Sequence, residues 1–236
     1  MNRLLLTAFL FLTSASWAGP LEDSANAFSR GDFAGEFRIT RRSAVKGEVW
    51  AQRSLGGLYE MGRGVKENHA EAAKWYRLAA MQGDASAQYD LGVMYDEGTG
   101  VKQNHAEAVK WYRLAAEKGD AMAQYNLGVS YQMGQGVAKN DAESLKWYRL
   151  SAANGLGAAQ SKLGAKYALG RGVSQDYIRA YMWFSLAVVS GYADAVKSRD
   201  AAAERLNAHE FAEAQKMTRE CQARKFQGCD RIGSIW

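Results

Sequence analysis

Hydrophobic and polar positions along most of this chain follow the spacing of amphipathic helices. In one clear example, Ala87, Leu91 and Tyr95 recur at i, i+4 and i+8, which places them on one helical face. Gly98 and Gly100 follow, and glycine commonly ends helices because it adopts positive φ without steric cost. We therefore expect a helix that buries this face and ends in a glycine turn.

A second helix is predicted after each such turn. Asn104 is a favourable N-cap residue, and Glu107 stands three residues later, as in a capping box. Trp111 and Tyr112 then mark the apolar face of a helix that stops at Gly119. The same places hold Asn68 and Glu71, Asn140 and Glu143, and, in a fourth copy, Asp176 and Arg179. The pattern therefore predicts a series of helix pairs.

The pairs repeat every 36 residues, the distance from Trp75 to Trp111. The tryptophan recurs at Trp147 and Trp183, and the turn Gly-x-Gly-Val and a Leu-Gly pair keep the same phase in four copies. A fixed period of this length indicates stacked supersecondary units. We therefore expect an all-α chain, folded as a right-handed α-solenoid of stacked antiparallel helix pairs.

The repeated pattern A-x-x-x-L-G-x-x-Y-x-x-G-x-G-V, followed by A-x-x-W-Y-x-x-A-A-x-x-G, resembles the Sel1-like repeat, a relative of the tetratricopeptide repeat. We assign four copies to residues 48–83, 84–119, 120–155 and 156–191. In the fourth copy Phe184, Ser185 and Val188 replace the Tyr, Arg and Ala of the pattern. The resemblance implies a non-catalytic scaffold that binds proteins, with adaptors, periplasmic regulators of sensor kinases and immunity proteins among similar chains.

Both ends of the stack are expected to carry capping units, because solenoid ends must cover an apolar face. A degenerate helix pair at residues 19–47 would cap the first repeat. Residues 192–236 would cap the last one, with one helix from Tyr192 to Leu206 and another that begins after Asn207 and runs to about Cys221. The remaining tail has apolar residues without periodicity.

Residues 1–18 have the pattern of a signal peptide. Arg3 supplies a positive start, and an apolar run from Leu4 to Leu12, broken only by Thr7, follows it. Ser16 and Ala18 are the small residues of a cleavage site. The apolar run is too short to span a bilayer, which needs roughly 20 apolar residues. We therefore predict cleavage before Gly19, export to the periplasm or beyond, and no membrane insertion afterwards.

Charge and cysteine content narrow the possible partners. The formal net charge is +5 with acidic and basic residues interspersed, so we expect no nucleic-acid partner.

Two cysteines, Cys221 and Cys229, stand close together near the end of the chain. Cysteines this close in an exported protein usually pair, and we predict a disulfide that adds about 2–3 kcal/mol of stability.

Candidate chemistry in this sequence is sparse. His69 and His105 share one repeat position but offer only two metal ligands, and the third copy has Asp141 there. Ser43 and Lys46 match the S-x-x-K pattern of penicillin-binding enzymes without its companion motifs. We therefore predict no metal, no cofactor and no enzyme. A hydrolase or penicillin-interacting enzyme of the β-lactamase-like type, using Ser43 and Lys46, is the alternative.

Positions that differ between repeats are the candidates for partner contact, because the in-phase positions build the scaffold. Three columns vary on the first helices: Arg53, Tyr89, Tyr125 and Ser161; Ser54, Asp90, Asn126 and Lys162; and Leu58, Met94, Ser130 and Lys166. The i, i+4 spacing of the last two columns puts them on one helix face, which we expect on the concave side of the superhelix. Tyr and Met are frequent in interfaces, so we predict that a protein partner binds here.

Other surfaces stay open as alternatives. The loops and the tail are two of them. Basic ladders on the second helices are a third, formed by Lys74, Lys110, Lys146, Arg77, Arg113 and Arg149. We expect a solvated outer face there, with a surface for an acidic partner as the alternative. The leading hypothesis is a periplasmic interaction protein: an adaptor, a regulator, or an immunity protein against a secreted effector such as a type VI phospholipase.

Overall fold

The computed structural model describes residues 19–231, and their regular structure is entirely helical. The predicted signal peptide and residues 232–236 of the tail lie outside the described residues. The helices are α1 (Pro20–Ser29), α2 (Phe33–Val45), α3 (Val49–Glu60), α4 (His69–Met81), α5 (Ala85–Glu97), α6 (His105–Glu117), α7 (Ala121–Met133), α8 (Asp141–Ala153), α9 (Gly157–Leu169), α10 (Tyr177–Val189), α11 (Ala195–Ala203) and α12 (Ala208–Ala223), followed by a 3₁₀ turn at Cys229–Arg231.

From α1 to α11 each helix packs mainly on its neighbours in the chain, and α12 packs on α10 instead of on α11. The four central pairs are α3 with α4, α5 with α6, α7 with α8, and α9 with α10. Helices α1 and α2 cover one end, and α11 and α12 cover the other. This nearest-neighbour packing is the architecture of a repeat solenoid, and it confirms the predicted all-α fold.

The N-caps of the second helices differ in one respect from the prediction. Asn104 Oδ1 accepts a hydrogen bond from the Glu107 backbone N–H at 3.2 Å, so the asparagine caps α6 as expected. The Glu107 carboxylate does not reach back to close a capping box; it binds Lys110 Nζ at 2.5 Å instead. A full ammonium charge one turn away attracts the carboxylate more strongly than a neutral N–H does. The complete capping box occurs in α12, at Asn207 and Glu210.

The Leu-Gly pairs bring the two helices of each unit into close contact. A Cβ at Gly92 would lie 2.6 Å from Cδ1 of Tyr112, so only glycine leaves room for the tyrosine ring. Gly128 meets Tyr148 in the same way, at 2.8 Å. The tyrosine of the second helix therefore packs directly on the backbone of the first helix.

The second glycine of each Gly-x-Gly-Val turn forms the joint between neighbouring units. Gly136 has φ +70°, and a Cβ there would lie 2.1 Å from the backbone oxygen of His105, the first residue of α6. Gly100 meets His69 and Gly172 meets Asp141 at the equivalent places. These turns are thus structural contacts between repeats.

The C-terminal cap contains a shorter first helix than predicted. Tyr192 follows Gly191 at φ +85°, and its N–H donates to the carbonyl oxygen of Ala187, which ends α10 in a turn. Its ring packs against the core of the last repeat, so α11 begins only at Ala195. Cys221 and Cys229 are buried and disulfide-bonded, with Cα atoms 5.2 Å apart.

Candidate functional site

Two of the three predicted columns lie on one surface, formed by the outward sides of α3, α5, α7 and α9 and called here the first-helix face. Arg53, Ser54 and Lys162 are exposed on it. The half-buried members are Tyr89, Asp90, Tyr125, Asn126 and Ser161. The first-helix face therefore runs from an arginine at one end to a lysine at the other, with aromatic, acidic and amide groups between them.

The tyrosines of this face are held rigidly from beneath. The Tyr89 ring centroid lies 6.1 Å from that of Tyr112, and the Tyr125 centroid lies 5.8 Å from that of Tyr148. Burial raises the pKa of Tyr89 and of Tyr125 above the ordinary value, so both hydroxyls stay protonated and can donate hydrogen bonds. Rigid tyrosines with one free edge are well suited to contact a partner.

The third predicted column is buried, which corrects its assignment as a contact surface. The exposed fractions are 3% for Leu58, 2% for Met94, 6% for Ser130 and 3% for Lys166. An α-helix turns by about 100° per residue, so a step of four residues rotates the side chain by about 40° past a full turn. That rotation carries the column from the surface into the contact with the preceding unit.

Lys166 shows what this contact does. Its Nζ atom lies 2.8 Å from Oδ1 of Asp141, the first residue of α8. The Lys166 ammonium holds the pKa of the Asp141 carboxyl below its ordinary value. The ion pair therefore contributes its full stability at pH values above the ordinary carboxyl pKa. This stabilisation is lost as the pH falls through the lowered pKa of Asp141. Lys166 joins two repeats and is not available to a partner.

A groove of about 290 Å³ opens at the N-terminal end of the first-helix face. Arg53, Ser54 and Asp90 line it together with Glu36 and Arg63, which the repeat analysis did not single out. Glu36 lies in the degenerate cap and Arg63 inside a turn, so neither belongs to a varying column of the first helices. The groove offers a partner both carboxylates and guanidinium groups.

Asp90 is the most perturbed acid of this groove. Burial, with a smaller contribution from nearby Glu60, raises its pKa to about 6, and Arg53 acts in the opposite direction. Tyr76 donates a hydrogen bond to Glu60 Oε2 at 2.6 Å, which fixes that second carboxylate. Asp90 therefore changes from neutral to anionic close to pH 6.

The other candidate residues lie in the N-terminal cap and at the starts of the second helices. Ser43, at the end of α2, is 1% exposed, and it lines a groove of about 350 Å³ together with Lys46. His69 pairs with Glu67 at 3.1 Å and His105 with Asp96 at 2.7 Å. Within residues 19–231, no group of three or more His, Cys, Asp or Glu side chains could hold a metal, and no helix is long and apolar enough to cross a membrane.

The arginine ladder links neighbouring repeats. Each arginine extends from a second helix to the hydroxyl of a tyrosine in the next unit. Arg77 Nη2 donates to Tyr95 at 2.5 Å, Arg113 Nη2 to Tyr131 at 2.8 Å and Arg149 Nη2 to Tyr167 at 2.9 Å. The surface formed by α4, α6, α8 and α10, called here the second-helix face, thus contains a repeated Arg–Tyr bond.

Known proteins share both the repeat and the fold. A protein-family model described as Sel1 repeat matches residues 51–84, 85–120, 121–156 and 157–188. The crystal structure of c5321, a protective antigen of uropathogenic Escherichia coli with an SLR fold, is 30% identical with a TM-score of 0.79. That match covers 94% of this chain and 50% of c5321, so this chain spans half the length of that protein.

A Sel1 repeat protein from Oxalobacter formigenes is 29% identical, with a TM-score of 0.73 and coverage of 89% of this chain and 91% of the other. The immunity protein Pa5087 from Pseudomonas aeruginosa is 18% identical, with a TM-score of 0.50. That alignment covers 90% of this chain and 87% of Pa5087, and at this identity it shows a common fold alone. A search of curated proteins gives no match.

Proposed function

Because this chain belongs to the Sel1 repeat family, we propose that it is a non-catalytic interaction module that binds a protein partner through the first-helix face. The observation that carries the proposal is the row of side chains that differ between repeats yet share this face. Tyr89 and Tyr125 form its centre, and each rests on a buried tyrosine of the following helix. Rigid aromatic anchors surrounded by polar groups are typical of energetically important contacts.

Charge along the face selects among partners. Arg53 is exposed beside Asp90 at one end, and Lys162 is exposed at the other. A partner with acidic groups opposite Arg53 and Lys162 and a basic group opposite Asp90 would be complementary to the face. Charge complementarity of this kind contributes to specificity and to the association rate.

Export to the periplasm is part of the proposal. Its support is the signal-like pattern of residues 1–18, together with the disulfide between Cys221 and Cys229. Disulfides of this kind persist in oxidising compartments. An adaptor, a regulator of a sensor kinase and an immunity protein all fit an exported scaffold of this kind, and Pa5087 is one immunity protein with the same fold.

Affinity capture from the periplasm of the native host tests this function. Oxidised residues 19–236 serve as bait, compared with a Tyr89→Ala/Tyr125→Ala/Asp90→Lys variant. A Lys74→Ala/Lys110→Ala variant, altered on the second-helix face, is the matched control. We expect one stoichiometric protein that the first variant loses and the control keeps. A toxic effector would identify an immunity protein, and a sensor kinase would identify a regulator.

Two results would contradict the proposal. Capture that persists in the tyrosine variant would move the interface away from the first-helix face. No protein partner at all would remove the interaction role. Circular dichroism and thermal unfolding of each bait establish that a lost partner reflects a changed surface and not a changed fold.

A further inference from the structure

The C-terminal segment of the chain packs on α8 and α10 at the second-helix face, where its residues Phe226 and Asp230 form one side of a groove of about 590 Å³. Three donor side chains surround the Asp230 carboxylate there. Oδ1 accepts hydrogen bonds from the Tyr167 hydroxyl at 2.8 Å and from Trp183 Nε1 at 3.2 Å. Oδ2 lies 2.5 Å from Nε of Arg149. These three residues together form a carboxylate-binding triad.

The same triad occurs one repeat earlier. Arg113, Tyr131 and Trp147 each stand 36 positions before the corresponding residue, and they line a groove of about 480 Å³ between α6 and α8. Arg113 donates to the Tyr131 hydroxyl at 2.8 Å, as in the Asp230 site. Arg77, Tyr95 and Trp111 repeat the arrangement once more between α4 and α6.

Trp147 lacks a partner that Trp183 has. Its side chain is buried, with 8% of the residue exposed, yet Nε1 has no hydrogen-bond acceptor among the described residues. The Tyr131 hydroxyl accepts a hydrogen bond from Arg113 Nη2 in an exposed contact of the same groove. Buried donors are normally paired, so the Trp147 indole N–H calls for an acceptor.

A carboxylate satisfies this requirement best. It accepts several hydrogen bonds at once, and its bonds to a guanidinium are charge-assisted. Asp230 demonstrates in the same chain that the triad holds a carboxylate with good distances. Its segment adds two contacts: the Phe226 ring lies over Gly155, and Gln227 Nε2 donates to the carbonyl oxygen of Ala153 at 2.8 Å.

We propose that the groove between α6 and α8 binds a partner segment through an aspartate or glutamate side chain, held by Arg113, Tyr131 and Trp147. The segment would place an aromatic residue four positions before the acid, as Phe226 precedes Asp230. This site lies on the opposite helices from the first-helix face, so it is independent of the function proposed above. It is a second recognition surface for an acidic peptide.

One residue of the groove tunes its affinity. Glu117 lines the groove where the α8–α10 groove has Ala153, so it adds a charge of the same sign as the incoming acid. Lys139, Glu143 and Lys146 line the same groove, and the Glu143 carboxylate lies 3.5 Å from Lys146 Nζ, which offsets its charge. Replacing Glu117 by Ala should therefore tighten binding about 2- to 5-fold, the effect of one exposed charge pair.

Indole N–H resonances provide the test. The oxidised protein, labelled with ¹⁵N, is titrated to millimolar concentration with the acetylated, amidated peptide Phe-Gln-Gly-Ser-Asp, which copies residues 226–230 with serine for cysteine. The control peptide ends in Asn. We expect a saturable shift of the Trp147 indole resonance with the Asp peptide and none with the Asn peptide. Arg113→Gln should abolish the shift and Glu117→Ala should strengthen it.

An Asp230→Asn variant supplies an internal reference, because it removes the carboxylate from the Arg149–Tyr167–Trp183 triad and should shift the Trp183 indole resonance. A Trp147 resonance that stays in place overturns the proposal, whether or not Trp183 responds. Equal shifts with the Asp and Asn peptides also overturn it. The variants tested here leave the first-helix face intact, so this result and that of the affinity capture are separable.

Discussion

At the scale of single residues, burial determines which side chains are available to contact a partner, and burial was the hardest property to predict from the sequence. The periodicity correctly separated scaffold positions such as Leu91 from varying positions such as Asp90. It did not separate Asp90 from Met94, because both vary and only the angle at which repeats stack determines what covers a side chain. The sequence likewise could not show that Glu60, thirty positions away, lies near Asp90.

Asp90 provides a prediction on stability. Its pKa is raised from 3.8 to about 6, so between these values the unfolded chain loses its proton first. The folded state therefore loses stability as the pH rises through this window. Asp90→Asn should raise the free energy of unfolding by about 1–2 kcal/mol at pH 7.5 and by almost nothing at pH 3.5. Thermal unfolding at both pH values measures the difference.

Glu97→Gln is the control for this substitution, since Glu97 is an exposed acid on the same helix. It should leave the melting temperature nearly unchanged at both pH values. A melting temperature of the Asp90→Asn protein that does not rise at pH 7.5 would show that burial does not penalise the charged form.

At the scale of elements, the helix pairs and their glycine turns followed directly from the sequence. What the sequence could not distinguish is why each glycine is needed. Gly119 has φ +92° with open space around its Cβ position, so its requirement is conformational. Gly136 has φ +70° and also touches the His105 carbonyl, a contact between residues of different units.

These two glycines give a paired prediction. Gly119→Ala should cost about 1–2 kcal/mol, the strain of a left-handed backbone in an L-residue. Gly136→Ala adds a clash with a backbone oxygen at 2.1 Å and should cost roughly twice as much or more, because neighbouring units must separate. Urea unfolding of both variants measures the difference. Equal losses would mean that the joint between repeats is flexible.

At the scale of the whole molecule, the disulfide between Cys221 and Cys229 closes the end of the stack. The spacing of the two cysteines was enough to predict their pairing. The course of the loop was not predictable, because Gln227 bonds to Ala153, a residue 74 positions earlier. Only the packing of α12 on α10 brings these distant segments together.

Removal of the disulfide should therefore do more than loosen a loop. A Cys221→Ser/Cys229→Ser protein should lose about 2–3 kcal/mol of stability and should expose Trp183 as Asp230 leaves its triad. Calorimetry measures the first effect, and hydrogen exchange of the Trp183 indole measures the second. Asp230→Asn in the oxidised protein is the comparison, and it should change the exchange rate with a smaller loss of stability. Unchanged exchange in the serine variant would show that Asp230 holds its place without the covalent link.

The joint at Gly136 has a consequence for how such a protein can change its length. The same glycine-to-carbonyl contact recurs at Gly100 and Gly172, so neighbouring units are joined by equivalent contacts along the stack. A gene duplication of residues 121–156 would then insert one more unit, and that unit would pack on its neighbours through the contacts that the present units already make. Because every such unit also contains an arginine, a tyrosine and a tryptophan of the triad, each insertion would add one further groove of the kind proposed to bind an acidic side chain. The length of the solenoid and the number of these binding sites would thus increase together, one unit at a time.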